Sequence, residues 1–323
     1  MSTLSFKKWL IGLGLLAIVA IICMIFGLAV GPQMLQWNDP TSQIILWQVR
    51  LPRVLLGMIV GMALASSGCA FQALLRNPLA DPYVLGVSGG AALGSVMGVV
   101  LKLPFIITIF CAFGSSIATM LFLVWAVGQR QSPHALLLAG VIFNAFAFAV
   151  IMLVHTLVRM EDAHAILFLL IGSLETVSLK TVGWISLAVI PSLIWLTRNG
   201  AALNAMCLGD ETAHSVGINP QRLSIQTFIA ASIMIGAVVA VAGLIGFVGL
   251  FIPHIVRLLW GSDHRFSIPA SALVGGSFLI VADTLARALS AVPQIQTELP
   301  VGVITALIGG PVFVWLLRRE MTA

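Results

Sequence analysis

The chain has 323 residues; 60% are apolar, only 8% are charged, and the formal net charge is +5. Mean hydropathy is +1.10. Soluble domains carry about a quarter charged residues, so this composition excludes a soluble enzyme and defines a polytopic integral membrane protein, long enough for about ten spanning helices of roughly 20 residues each.

The predicted elements follow in chain order. Lys7 and Lys8 precede an apolar run from Trp9 to Gly31, too long for a secretory signal core and read as the first spanning helix. Gly31 to Gln48 is a short outer segment. Arg50-Leu51-Pro52-Arg53 then opens a helix from Val54 to Leu75, with Pro52 suited to a first turn. Gly57, Gly61, Ala65 and Gly68 recur along it at a spacing that permits close helix packing in lipid. Residues 76–82 break the chain at the inner face. The third and fourth helices cover Leu85–Leu101 and Phe105–Val127. After an inner turn at Gln129–Pro133, the fifth runs from His134 to Leu157. Ile166–Leu174 is too short to span and reads as an outer half-helix. The sixth helix covers Val182–Leu196.

Leu208 to Arg222, LGDETAHSVGINPQR, is the longest clearly polar stretch between apolar runs and must meet water at one membrane face. Its Gly and Pro predict two short helical turns joined by a bend. Two readings are open: an ordinary solvated loop, or the handle by which a soluble partner grips the membrane domain. The seventh and eighth helices share the apolar stretch from Leu223 to Trp260, with a turn near Gly243–Gly249. The ninth covers Ile268–Leu289, Pro293–Pro300 is an outer turn, and the tenth covers Val301–Leu317.

This topology puts ten Lys and Arg inside and six outside, the latter being Arg50, Arg53, Lys102, Arg159, Lys180 and Arg287. The bias agrees with the positive-inside rule, so the net charge reflects topology and gives no reason to expect nucleic-acid binding. Gly61, Ala65, Gly68, Pro78 and Gly86 recur at one constant offset as Gly236, Ala240, Gly243, Pro253 and Gly261. The first copy starts outside and the second inside. That is the pattern of an inverted repeat, a common transporter plan; chance matching in a glycine-rich chain is the alternative.

Chemistry is sparse. No GxxxxGK[ST] loop is present to cradle ATP phosphates, and no HExxH or nucleophile elbow occurs. The four cysteines, Cys23, Cys69, Cys111 and Cys207, stand singly and suggest neither a disulfide framework nor a zinc site. His155 and His254 read as packed side chains, not ligands. Asp283 is the main intramembrane charge. Burying one costs on the order of 3 kcal/mol even on insertion scales, and Arg287 four residues on can pair with it on one helix face. Asp283 therefore reads as half of an ion pair or as a proton relay. In the second case the chain would be a proton-coupled secondary transporter.

Six segments together resemble the FecCD-type permeases, the membrane subunits of bacterial ABC importers for ferric siderophores, haem and cobalamin. They are RLPR (50–53), QALLRNPLADPYVLGVSGGA (72–91), LGDETAHSVGIN (208–219), GLIGFVGLFIPHIVRLLWGSDHR (243–265), ADTLAR (282–287) and ELPVGVITALIGGPVFVWLL (298–317). The resemblance covers nearly the whole chain. It implies an all-α fold of ten transmembrane helices in the type II ABC importer permease architecture, one permease domain over 1–323, and both termini in the cytoplasm of a bacterial inner membrane. It also implies partners: a second permease, as a homodimer or a related chain, two ATPase subunits that bind the ATP and Mg, and a periplasmic binding protein. This chain itself would hold no cofactor and no metal.

Residue by residue, 208–222 resembles the family's cytoplasmic coupling segment through Leu208, Gly209, Asp210, Glu211, Ala213 and Gly217, with Val216 where leucine is commoner. Arg50, Arg53 and Arg287 resemble solvent-exposed outer arginines that meet acidic residues of the binding protein. Gln131, Ser132, Pro133 and His134 stand where an inner gate is expected. The stretch AVPQIQT before Glu298 is longer than in typical members.

Overall fold

A computed structural model describes residues 6–31, 40–83, 85–128, 133–175, 177–290 and 299–321. Among them every regular element is helical: α1 (Phe6–Ala29), α2 (Pro40–Ile44), a π-helical segment (Ile45–Arg50), α3 (Leu51–Leu74), α4 (Val87–Val100), α5 (Phe105–Val127), α6 (Pro133–Leu157), α7 (Met160–Ile171), α8 (Leu179–Arg198), α9 (Gly200–Cys207), α10 (Asp210–Ser215), α11 (Pro220–Ala242), α12 (Val248–Trp260), α13 (His264–Ser290) and α14 (Val301–Met321). Seven continuous helical stretches are long and apolar enough to cross a bilayer: α1, Pro40–Leu74, α5, α6, α8, α11 and α13. The apolar helices at Val87–Val100, Val248–Trp260 and Val301–Leu316 are shorter and complete the predicted ten.

Boundaries follow local chemistry. Asn219 accepts the Arg222 amide at 3.0 Å and Pro220 fills the first turn, so α11 starts sharply. Ser178 caps α8 through the Thr181 amide at 3.2 Å. Two sequence readings are modified. The outer segment after the first helix is helical from Pro40 and runs unbroken into α3. The polar stretch 208–222 holds one short helix, α10, and the first turn of α11, joined by the 216–219 bend, and it is preceded by α9, which the sequence reading did not predict. Most of the predicted Pro293–Pro300 turn lies outside the described residues.

The organising element is α3. Within the most apolar window of the Pro40–Leu74 stretch 83% of residues are buried, against 17% for α1, so α3 is the centre and α1 a peripheral brace. Its small residues let backbone meet backbone. A Cβ on Gly61 would lie 2.2 Å from the Gly275 carbonyl oxygen of α13, and one on Gly68 would lie 1.9 Å from that of Gly249 on α12. The dispersion attraction that such proximity allows replaces the hydrophobic drive that lipid cannot supply.

The packing repeats with exchanged partners. As α3 lies against α13, so α11 lies against α5, where a Cβ on Gly236 would meet the Phe113 Cα at 2.9 Å. As α12 packs on α3, α4 packs on α11. The α3 chain runs toward the face that carries α10, here the loop face, whereas α11 runs away from it, so the two three-helix units α3–α5 and α11–α13 are inverted. The fixed offset holds only for the Gly61/Gly236 helices. Pro78 lies between helices while Pro253 lies inside α12, because the links before the two short helices differ in length.

The shorter link, 243–247, is irregular, and apolar surroundings demand that its backbone be paired. The Leu244 amide donates to Leu169 O at 2.8 Å, the Ser173 amide to Ala242 O at 2.9 Å, and the Gly302 amide to Gly172 O at 3.0 Å. Gly172 and Gly243 take positive φ at this junction.

Gly68→Val should destabilise the bundle by about 3 kcal/mol, the top of the usual range for forced overpacking, whereas Gly114→Ala, with nothing within 4 Å of its added Cβ, should change it by less than about 0.5 kcal/mol. Thermal aggregation in detergent reads both.

Candidate functional sites at the two membrane faces

At the face opposite the loop, four charged side chains converge from α3, its π-helical lead-in and α13. Arg53 donates from Nε and Nη2 to Asp283 Oδ1 at 3.1 and 3.0 Å, and from Nε to Oδ2 at 3.2 Å. Arg287 Nε donates to Asp283 Oδ2 at 3.0 Å. Both carboxylate oxygens are thus occupied by guanidinium groups. The remaining donors close the end of α1: Arg287 reaches Gly27 O at 3.1 Å and Val30 O at 3.2 Å, and Arg50 reaches Leu28 O at 2.9 Å and Ala29 O at 3.1 Å. The last carbonyls of a helix have no intrahelical partner, and cations there also complement the helix dipole. Gly31 leaves room for this, since a Cβ there would meet Arg50 Nη2 at 2.6 Å.

This corrects one expectation. Arg50, Arg53 and Arg287 are 3%, 7% and 6% exposed, not solvent-facing. The cause is the set of orphan carbonyls at the end of α1 together with Asp283, which compete successfully for the guanidinium groups. The Asp283–Arg287 pair is present as the sequence suggests, with Arg53 as a second partner.

At the loop face, α10 stands out from the bundle. Asp210, Glu211, Thr212, His214, Ser215, Val216 and Gly217 are exposed, while Ala213 is fully buried beneath them. Leu208 and Val216 leave 69% and 62% of their surfaces exposed. Gly209 and Gly217 bracket the helix at positive φ. After it, the Ile218 amide returns to Ala213 O at 2.9 Å and the Gly217 amide to His214 O at 3.0 Å. Of the predicted inner-gate residues, Gln131 and Ser132 lie outside the described residues, and Pro133 and His134 form the first positions of α6.

Two anchors hold this loop. From the end of α3, Arg76 Nε donates to Met206 O at 2.7 Å and its Nη2 pairs with Asp210 Oδ1. From the α12–α13 turn, Asp263 accepts Asn204 Nδ2 at 2.8 Å while Asn204 Oδ1 accepts the His264 amide at 2.9 Å. Hydrogen bonds from Arg265, then Asn204, hold the Asp263 carboxyl at about 2. Gly200 permits this closeness, since a Cβ there would sit 2.8 Å from the Arg265 amide nitrogen. A cavity of about 820 Å³ opens between the anchors, lined by Gln72, Arg76, Asn204, Arg257, Trp260 and His264 among others. Sequence reading missed Arg76, Asn204 and Asp263 as a set, because nothing in their spacing shows that they meet. Among the described residues no group of three or more His, Cys, Asp or Glu side chains is placed to hold a metal. His254 is buried edge-on to Phe313.

An inverted-repeat helical bundle with a clamped polar loop on one face follows a plan common among membrane transporters. The family follows from comparison with known proteins. A description of the FecCD transport family matches residues 13–319, and the chain belongs to that family, the permeases of ABC importers. It is 42% identical over 294 residues to the ABC transporter permease protein YvrB of Bacillus subtilis, covering 88% of this chain and 81% of that protein. It is 38% identical to the hemin transport system permease HmuU of Yersinia pestis, covering 88% and 87%, and 38% identical to the vitamin B12 import permease BtuC of Escherichia coli, covering 97% and 95%. A solved structure described as an inward-facing metal-chelate type ABC transporter superposes with a TM-score of 0.87 at 28% identity, covering 95% of this chain and 98% of that one. PsaBC of Streptococcus pneumoniae, at 15% identity and a TM-score of 0.58, shares the fold, covering 92% and 95%. These relatives are named as permease proteins of transport systems.

Removing one partner of a buried pair strands the other charges, so Asp283→Asn should cost about 3–5 kcal/mol of stability. Adding Arg53→Gln to it should cost far less than Arg53→Gln alone, and a double-mutant cycle on thermal stability measures the difference. Asp263 should stabilise the protein fully above 3.8 and lose that contribution as pH falls toward about 2. Asp263→Asn should flatten this acid limb in a pH series of melting curves.

Proposed function

We propose that the chain is the permease subunit of an ABC importer that passes a large metal chelate into the bacterial cytoplasm. The cargo class is a ferric siderophore, haem or cobalamin, in line with the hemin and vitamin B12 permeases it resembles. The loop face is cytoplasmic, as are both termini, and the membrane is the inner membrane. Two permeases, as a homodimer or a related pair, work with two ATPase subunits that bind ATP and Mg. A periplasmic binding protein delivers cargo to the opposite face. On this reading the buried arginines brace that face for docking by holding the ends of α1, α3 and α13, while contact with the binding protein falls to exposed groups around them.

The observation that carries the reading is the clamped α10 loop. It presents apolar Leu208 and Val216 to water on a base tied to both repeats. Exposed apolar side chains on an anchored mount are what a partner cleft can grip, and movement imposed there reaches both halves of the bundle. The proton-coupled alternative is disfavoured because Asp283 is enclosed by Arg53 and Arg287, which suits a structural pair.

The test is ATP hydrolysis by the purified chain in lipid, alone and with its co-expressed ATP-binding subunit. Silence alone and activity in a stable complex are expected. Leu208→Asp with Val216→Asp should leave the melting temperature of the permease nearly unchanged but weaken the complex at least about thirtyfold, the least expected of a hot spot. Solute movement driven by a proton gradient without the ATPase would overturn the proposal.

A further inference from the structure

Arg76 sits where the backbone calls for glycine. Its amide returns to Ala73 O at 3.3 Å and the Asn77 amide to Gln72 O at 3.1 Å. These two bonds form the Schellman closure of a helix, and the residue between them takes the left-handed conformation that glycine usually supplies. Arg76 adopts it at φ 49, a conformation unfavourable for a residue with a Cβ. A strained residue that persists points to its side chain.

That side chain spans two elements of the loop. It closes the end of α9 at Met206 O and holds Asp210 at the start of α10. The ion pair is partly exposed, with 36% and 64% of the two side chains accessible, so charge attraction alone contributes little; the two-point grip fixes direction more than it adds stability. One turn back along α3, Gln72 Nε2 donates to Leu250 O at 3.1 Å and lies 3.4 Å from Gly249 O, both on α12. A continuous path of polar contacts therefore runs from α10 through Arg76 and the end of α3 to the start of α12, where the two repeats meet backbone to backbone at Gly68.

We infer that Arg76 is a positioning residue that couples the α10 loop to the junction of the two repeats, so that displacement of the loop becomes displacement of α3 against α12. This rests on the reading of 208–222 as the ATPase-coupling segment. Glycine at this position would relieve the backbone while deleting the grip, and so separates coupling from folding.

The assembled importer, permease with its ATP-binding subunit and binding protein, is placed in proteoliposomes. Uptake of hemin, cyanocobalamin and a ferric hydroxamate is measured together with ATP hydrolysis. Arg76→Gly should keep the complex, the melting temperature and most of the hydrolysis, yet lower uptake per ATP by about tenfold, the scale of a typical coupling between sites. Arg76→Lys, able to reach one partner at a time, should fall between. Wild-type uptake per ATP in Arg76→Gly would overturn the inference. So would dissociation or unfolding of both Arg76→Gly and Arg76→Lys, which would mark the contact as merely structural. Failure of the wild-type assembly to take up any of the three probes with ATP would instead sink the importer reading, and the inference with it.

Discussion

Everything in this bundle depends on how closely α3 approaches its neighbours. In lipid, apolar side chains gain little by leaving the solvent, so helices associate where their backbones can come near. The Gly61–Gly275 and Gly68–Gly249 contacts leave no room for a single Cβ. They seat α3 against one helix of the opposite repeat over most of its length and against another near its end. The exchange of partners between α3–α13 and α11–α5 then follows from one packing rule applied twice in inverted copies. The positions of both faces, and of everything mounted on them, are inherited from that seat.

The two faces solve the same problem in different ways. Helix ends and irregular links leave backbone groups unpaired, and an apolar setting makes each of them costly. At one end the solution is cationic: Arg50 and Arg287 close the carbonyls of α1, and Asp283 pairs with Arg287 and Arg53. At the other it is a set of side-chain bridges, Arg76 to Met206 and Asn204 to Asp263 and His264, which tie a solvated loop to buried helices. The first arrangement is enclosed and suited to rigidity. The second borders a cavity and an exposed surface, and is suited to receiving force.

Long apolar runs and their punctuation made the order of helices readable in the sequence, and the spacing of Gly57, Gly61, Ala65 and Gly68 made α3's packing face readable too. Asp283 and Arg287 could be paired from their separation on one helix. Arg53 could not be added to them, because it lies 230 residues away and only the fold brings it near. For the same reason the outer arginines read as exposed. Charge in a membrane sequence suggests water, and only the open carbonyls of α1 show where the guanidinium groups go. The polar loop was evident as a surface feature, but its anchoring was not. Arg76 looks like an ordinary inner-face charge until its backbone angle is known. The constant-offset repeat held along α3 and α11 and failed beyond them, since equivalent helices are reached through links of unequal length.

The short helices have a mechanical consequence. α4 and α12 rise only about 21 and 20 Å at 1.5 Å per residue, less than the roughly 30 Å of a hydrocarbon layer. The rest of each crossing is made by non-helical chain, which enters from one face before α4 and from the other before α12. Tilting a complete helix against its continuation would require breaking i to i−4 bonds. Here the links hold few such bonds, Leu85 to Asp81 before α4 being one, and are fixed instead by their neighbours, as Leu244 is by Leu169. The setting of each half-length helix is thus decided by the elements packed around its link, at opposite faces of the bundle, and not by an unbroken hydrogen-bond ladder of its own.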